Sequence, residues 1–144
     1  MGKFFKKILC PIEFDDNSMV ALRYARDLAS DNHATLYVLN VVFMPVASPG
    51  FPEEPRPVVS DEPSKHGLEK VAREQLHGKV RYELVTRIGS PADTINQAAE
   101  DLDADLIIIA THGRTGVTRF FLGSVAERVV RESQRPVLTI RPKA

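Results

Sequence analysis

Three glycines and two arginines late in the chain have residue types and spacing suited to holding a phosphate group. They lie in the stretch ATHGRTGVTRFFLGS, which contains Gly113, Gly116 and Gly123. Glycine lets a backbone approach a ligand closely and adopt positive φ, and Arg114 and Arg119 add local positive charge. The stretch therefore predicts a phosphate-binding loop.

A helix is predicted to start at Ser124, directly after the last of these glycines. Unpaired N–H groups and the dipole at a helix N-terminus favour an anion, and Ser124 could cap the helix and also reach a ligand oxygen. Glu127 is predicted to complete a capping box. Neither the P-loop fingerprint nor a GxGxxG motif is present. On the residues alone, the alternative that the glycines only shape a turn and a helix entry stays open.

Short apolar stretches that alternate with helical patterns predict an α/β fold. The predicted strands are Ile8–Ile12, Thr35–Phe43, Val80–Ile88, Asp105–Ala110 and Pro136–Ile140. The third has one polar face, which favours an edge strand, and the fourth is apolar on both faces, which favours a central one. Strands that alternate with helices favour a parallel sheet with helices on both faces.

Apolar residues at helical spacing predict the buried face of each helix. These residues are Ala21, Leu22, Ala25, Leu28 and Ala29, then Leu68, Val71, Ala72 and Leu76, then Ile95, Ala98, Ala99 and Leu102, and last Ala126, Val129 and Val130. The helix after the third strand is predicted to start with Ser90 as its cap and Pro91 as its first residue, and with Asp93 closing a capping box.

Residues 44–63 are rich in proline, with six of the ten prolines of the chain. Proline lacks an N–H donor and fixes φ, so neither a helix nor a central strand is expected to run through them. A long loop in a compact protein is usually functional or disordered. Because no internal repeat is found, residues 1–144 are predicted to form one domain.

The loops after the first and fourth strands are the predicted ligand site. In open α/β sheets, ligands bind beyond the carboxyl ends of the strands, where the strand order reverses. If these two strands are neighbours, CPIEFDD and ATHGRTG face each other across a crevice. Cys10 and His112 would lie nearby, so a nucleophilic pair is conceivable. A buried cysteine that packs as a small apolar residue is the commoner arrangement.

Composition excludes several classes of function. The formal net charge is zero, so no overall field recruits nucleic acid or an anionic membrane. One cysteine excludes a disulfide framework and argues against a structural zinc site. No apolar stretch approaches the ~20 residues that span a bilayer, and the N-terminal apolar run is too short for a signal peptide. We therefore expect a cytoplasmic protein.

The motifs together resemble the universal stress protein family over essentially the whole chain. The nucleotide-binding pattern of that family is Gly, two residues, Gly, nine residues, Gly, then Ser or Thr. The sequence has Ala110, Gly113, Gly123 and Ser124 at these positions. CPIEF is similar to the family's Pro-x-Asp-Phe loop, and GSPADTI to its Gly-x-Pro turn.

This resemblance implies a Rossmann-like fold of the adenine nucleotide alpha hydrolase type, with an open five-stranded parallel sheet in the order 3-2-1-4-5. It also implies a homodimer, which we expect to form through the edge strand Pro136–Ile140, because an open apolar edge invites pairing. The implied ligand is ATP, or ADP or AMP, and Mg²⁺ can accompany the nucleotide. The residues assigned to the nucleotide are Pro11, Ile12, Glu13, Val41, Ala110, His112, Gly113, Arg114, Gly116, Gly123, Ser124 and Val125.

Two positions depart from the family pattern. Ala110 replaces its first glycine, and an alanine there costs about 1–2 kcal/mol if the position needs positive φ. If the position needs only a small residue, alanine is tolerated. Glu13 replaces an aspartate and is one methylene longer. The resemblance implies that it still holds the nucleoside end, with shifted geometry.

The resemblance implies an ATP-binding sensor or adaptor in the stress response, acting on an unknown client protein. One alternative is a dimeric interaction module with a vestigial nucleotide site. The replacement of the first glycine by Ala110 slightly favours this alternative. Another is a slow ATPase, against which stand the lack of a clear general base and of a lysine in the predicted cradle. We therefore do not expect an enzyme beyond weak ATP hydrolysis.

Overall fold

Five parallel strands alternate with four helices in the computed structural model, which describes residues 5–44, 59–111 and 123–142. The elements are β1 (Lys7–Pro11), α1 (Asp16–Asp31), β2 (Thr35–Phe43), α2 (Glu62–Gln75), β3 (Arg81–Gly89), α3 (Pro91–Asp101), β4 (Leu106–Ala110), α4 (Ser124–Glu132) and β5 (Val137–Ile140). The strand order is β3-β2-β1-β4-β5, with parallel pairing throughout. The predicted fold class and strand order are confirmed.

The sheet separates two apolar cores, because successive strand side chains point to opposite faces. Ile8 and Cys10 of β1 pack with α1 and α2 on one face. Leu9, between them, packs with α3 and α4 on the other. This position between two layers explains why β1 and β4 are apolar on both faces.

The two edge strands differ from the central ones in exposure. In β3, Arg81 and Glu83 are exposed, as the predicted polar face requires. In β5, Leu138 is 41% exposed, and Val130 of the adjacent α4 is 43% exposed. Val130 was predicted to face inward, and that prediction is wrong. Ala126 and Val129 take the buried face of α4, and no other described element covers its outer flank.

Both predicted capping boxes are absent. The N-cap of α3 is Ser90, but its side chain makes no capping hydrogen bond, and the Asp93 carboxylate accepts from Arg128 at 2.6 Å. The N-cap of α4 is Gly123, so Ser124 is the first helical residue instead of the cap. Glu127 accepts from Arg131 at 2.6 Å. Arginine side chains thus take up both carboxylates.

Helix α2 begins inside the range predicted as loop. Its first residue is Glu62, and Pro63 lies in the first turn. Proline is tolerated there because the N–H groups of a first turn have no partner in the helix. The loop prediction is therefore wrong for its last two residues, and residues 45–58 lie outside the described part.

Candidate functional site

The carboxyl ends of β1 and β4 lie at the point where the strand order reverses. β1 pairs with β2 over five residues, but with β4 only at Ile8 and Leu9. The two strands therefore part after Leu9. The space between their carboxyl ends is called the crevice below, and its place in the sheet is where open α/β sheets bind ligands.

Thr111 joins the end of β4 to β5 and to the start of α4. Its N–H donates to the carbonyl of Ile140 at 2.9 Å, and its carbonyl accepts from the N–H of Gly123 at 2.5 Å. These bonds hold the start of α4 against the end of β4. They also bring the end of β4, with Ala110, close to Gly123 and Ser124.

The N-terminus of α4 presents backbone donors at the same place. Among the described residues no side chain caps this helix, and its N-cap residue is a glycine. The first N–H groups of the helix, which belong to Ser124, Val125 and Ala126, are those that lack intrahelical partners. Such donors, together with the helix dipole, favour an anion. In α1, by contrast, the Asp15 side chain accepts from the N–H of Ser18 at 3.0 Å.

Thr111, the residue that follows β4, has a buried hydroxyl that fits a bound polar ligand. Thr111 is 4% exposed, and its Oγ1 makes no hydrogen bond to a described residue. A buried hydroxyl without a partner costs about 1–3 kcal/mol. Oδ2 of Asp15, at the start of α1, is likewise buried and makes no hydrogen bond to a described residue. Such groups point to a missing polar partner.

The end of β1 forms the opposite side of the crevice. Pro11 and Ile12 are buried. Ile12 is held on both sides: its N–H donates to Leu39 at 2.8 Å, and its carbonyl accepts from the Asn40 amide at 2.8 Å. Glu13 follows with an exposed side chain, and its N–H donates to Ser18 Oγ at 3.0 Å.

Val41 lies on β2, the strand beyond β1, and its side chain packs against the core on the α3 and α4 face. It is therefore one strand removed from β1 and two from β4. The structure brings the end of β1 and the end of β4 together more directly than it brings Val41 to either.

Ala110 occupies the last position of β4 with ordinary extended backbone. It pairs with Ile140, and it is not among the described non-glycine residues with positive φ, which are Phe14, His33 and Asp103. The cost of a left-handed alanine therefore does not arise. Of the two readings of this position, the structure favours a requirement for a small residue.

Four of the predicted nucleotide-binding residues, His112, Gly113, Arg114 and Gly116, lie outside the described residues. Thr111, Asp15 and Ser18 were not singled out from the sequence as site residues. Asp15 and Ser18 lie in the sequence DDNS, whose residue types are typical of a helix N-cap, whereas the hydroxyl of Thr111 is notable only through its burial.

Cys10 is a core residue, with none of its surface exposed. Burial raises the pKa of its thiol from 9.0 to about 12. A reactive thiol needs a low pKa and access to solvent, so the structure opposes a Cys10–His112 nucleophilic pair.

We expect Cys10 to resist a thiol-specific reagent at neutral pH in the native protein and to react fully in denaturant. The raised folded-state pKa also predicts a pH effect. The unfolded thiol ionises above pH 9 while the folded thiol does not, so folding stability is lost as pH rises from 9 towards 12. Cys10→Ala should remove this contribution. Native labelling as fast as that of the unfolded chain would contradict the assignment.

A groove of about 300 Å³ lies apart from the crevice, between α3 and the end of α4. Its lining consists of polar side chains, namely Asp93, Asn96, Gln97, Glu100, Glu132, Ser133, Gln134 and Arg135. Arg135 bonds to Glu100 and Asp103, each at 3.1 Å. The groove contains none of the predicted site residues.

The described residues show neither a metal cluster nor a membrane span. No group of three His, Cys, Asp or Glu side chains there is placed to hold a metal ion. No helix in that part of the chain is long and apolar enough to cross a membrane.

Comparison with known proteins agrees with the fold. One solved structure, described as a universal stress protein in complex with cAMP, superposes with a TM-score of 0.74 at 21% identity and covers 96% of this chain and 98% of its own. The universal stress protein from Archaeoglobus fulgidus in complex with dAMP superposes with a TM-score of 0.66 at 23% identity, covering 96% and 99%.

Sequence comparison is more specific. A universal stress protein of Methanocaldococcus jannaschii is 34% identical over 143 residues, which is 95% of this chain and 82% of the relative. The model of the universal stress protein family matches residues 4–141. Together with the strand order and the crevice, this match shows that the chain belongs to the universal stress protein family.

Proposed function

We propose that the chain binds an adenine nucleotide in the crevice and acts as a nucleotide-dependent sensor or adaptor in the stress response. The observation that carries this proposal is the bond from the Gly123 N–H to the Thr111 carbonyl. It sets a helix N-terminus that no described side chain caps against the end of β4, where the strand order reverses.

The proposed orientation of the nucleotide follows from the charges on the two sides of the crevice. Phosphate oxygens would accept from the N–H groups at the start of α4, because these donors favour anions. The acidic side chain of Glu13 would disfavour the phosphates and suits a ribose hydroxyl, which can donate to a carboxylate. The cAMP and dAMP bound by the two solved relatives support an adenine nucleotide.

ATP is the nucleotide that we propose first, with ADP and AMP as alternatives. Mg²⁺, where present, would bind through the phosphate oxygens, as it commonly does beside nucleotides. The single domain over residues 1–144 and the cytoplasmic location remain predictions.

Identification of small molecules released from the denatured, purified protein tests the proposal most directly. ATP, ADP or AMP in the released fraction, followed by calorimetric titration of the nucleotide-free protein, would support it. A protein that carries none of the three and binds none in titration would overturn it and favour the interaction module.

Thr111→Val tests whether the buried hydroxyl serves a ligand. Valine has the shape of threonine without the hydroxyl, so the nucleotide-free protein should gain about 1 kcal/mol or more in unfolding free energy as the unpaired group disappears. Nucleotide affinity should fall at the same time. Thr111→Ser keeps the hydroxyl and serves as the control. Thermal unfolding and titration measure the two effects, and a loss of stability with unchanged affinity would contradict the assignment.

An interaction module remains the second candidate, because apolar side chains are exposed at one edge of the sheet. Val130 and Leu138 are 43% and 41% exposed on the neighbouring elements α4 and β5. Exposed apolar side chains beside an open strand edge are typical of a surface that pairs with another chain. We propose a homodimer through β5, and it is compatible with either function.

A further inference from the structure

Phe14 adopts a backbone conformation that is unfavourable for its residue type. Its φ is +60°, in the left-handed region. Bulky residues with a Cβ atom rarely adopt this region, and such strain persists only where the surrounding structure imposes it. Phe14 lies directly after Glu13 in the loop that leaves β1. Some contact must therefore hold this turn in place.

Both ends of the turn are fixed by hydrogen bonds. On one side, Ile12 bonds to Leu39 and Asn40 of β2. On the other, Asp15 caps α1 by accepting from the N–H of Ser18. Only Glu13 and Phe14 connect these two anchored points, so the conformation of Phe14, together with the bond from the Glu13 N–H to Ser18 Oγ, sets the position of Glu13.

The ring of Phe14 lies against a glycine in the middle of α2. A Cβ atom built on Gly67 would come within 2.8 Å of Cζ and 2.9 Å of Cε1 of the ring. These distances are shorter than real contacts allow, so only a glycine at this position accepts the ring where it is. Glycine weakens a helix interior, and its contact with the ring gives a physical reason for its presence here.

We propose that Phe14 is a positioning residue, whose ring, seated on Gly67, holds the turn that presents Glu13 to the nucleoside end of the ligand. This inference rests on the proposed function for the role of Glu13. It adds that helix α2, which lies outside the crevice, influences the affinity for the nucleoside through the contact of Gly67 with the Phe14 ring. The ring and the glycine form a matched pair, so a change in one should be compensated by a change in the other.

Gly67→Ala and Phe14→Leu, alone and combined, test the pair. The methyl group that Gly67→Ala adds displaces the ring, whereas leucine at position 14 reaches less far than phenylalanine and leaves room for that methyl group. Lys70→Ala, at an exposed position of the same helix, is the control. Calorimetric titration with AMP measures affinity, thermal unfolding checks the fold, and amide hydrogen exchange of Glu13 reports the turn, because that N–H donates to Ser18 Oγ.

We expect Gly67→Ala to weaken AMP binding about tenfold, the effect of losing one hydrogen bond to a charged group, and to accelerate exchange at Glu13. Phe14→Leu should also weaken binding. The double variant should recover most of both losses, since contacting residues are not additive. A folded Gly67→Ala protein with wild-type affinity and exchange would overturn the proposal, as would strictly additive variants.

The exchange measurement separates this proposal from the function on which it rests. If the wild-type protein binds no adenine nucleotide, the proposed function fails in that titration alone. Glu13 exchange in Gly67→Ala and in the double variant still decides whether the ring holds the turn. Unchanged exchange there would reject the positioning role independently of any ligand.

Discussion

Ala110→Leu is expected to weaken nucleotide binding strongly while the protein remains folded. Ala110 is the last residue of β4 and is only half-buried, and its side chain packs on the same face of the sheet as Ile8 and Cys10. A leucine there is larger by three carbon atoms, at the end of the strand where we propose that the ligand binds. A clash of this size costs about 1–3 kcal/mol, which with the lost contacts corresponds to a dissociation constant raised about 100-fold or more. Calorimetric titration with ATP and AMP measures the effect.

Ala110→Gly is the matched control. The backbone of Ala110 is extended, so glycine brings no relief of strain and should leave affinity within a factor of about two, at a stability cost of roughly 0.5–1 kcal/mol. A large gain in affinity for the glycine variant would mean that alanine itself obstructs the ligand. Wild-type affinity in a folded Ala110→Leu protein would place the nucleotide elsewhere.

The alternation of strands and helices could be predicted from the sequence because it depends on local periodicity. β2 has the predicted bounds, and β1, β3, β4 and β5 differ from theirs by one residue at one or both ends. The strand order, by contrast, came from the family resemblance, since periodicity alone does not say which strands are neighbours. The place of the crevice depends on that order.

The helix starts show where local patterns fail. The capping boxes predicted at Ser90 and Ser124 are consistent with the nearby sequence. The carboxylates that would complete them accept hydrogen bonds from arginine side chains instead. Asp93 is bound instead by Arg128, 35 residues away. A short pattern cannot reveal such a partner, because only the packing of α3 against α4 brings it near.

The features that matter most for the site also depend on tertiary structure. The burial of the Thr111 hydroxyl and the contact between Phe14 and Gly67 require strands and helices far apart in sequence to be in place. Gly67 directly precedes Leu68, the first apolar residue of the predicted second helix, and no local pattern indicates the ring that lies against it. The sequence likewise left two readings of Ala110 open, and the backbone of β4 decided between them.

Leu138→Lys is expected to convert a homodimer into monomers. β5 is a short edge strand whose outer main-chain groups no other described strand pairs with. Leu138 on this strand is 41% exposed and lies on the same face of the sheet as Ile140. Lysine on an edge strand is a common barrier to strand pairing. Each copy would lose about 1–2 kcal/mol of apolar burial. In a two-fold dimer each substitution occurs twice in the interface. The dimer dissociation constant should therefore rise about 100-fold or more.

Ile88→Lys on β3 distinguishes pairing through β5 from nonspecific association. Ile88 is 43% exposed on the opposite edge strand, so the same substitution there adds an equal charge to a similar surface. Sedimentation should show dimers for the wild type and for Ile88→Lys, and folded monomers for Leu138→Lys. Monomeric wild-type protein at micromolar concentration would reject the dimer. If Ile88→Lys alone dissociates the dimer, the interface lies at β3, because a lysine disrupts pairing only at the strand edge that forms the contact.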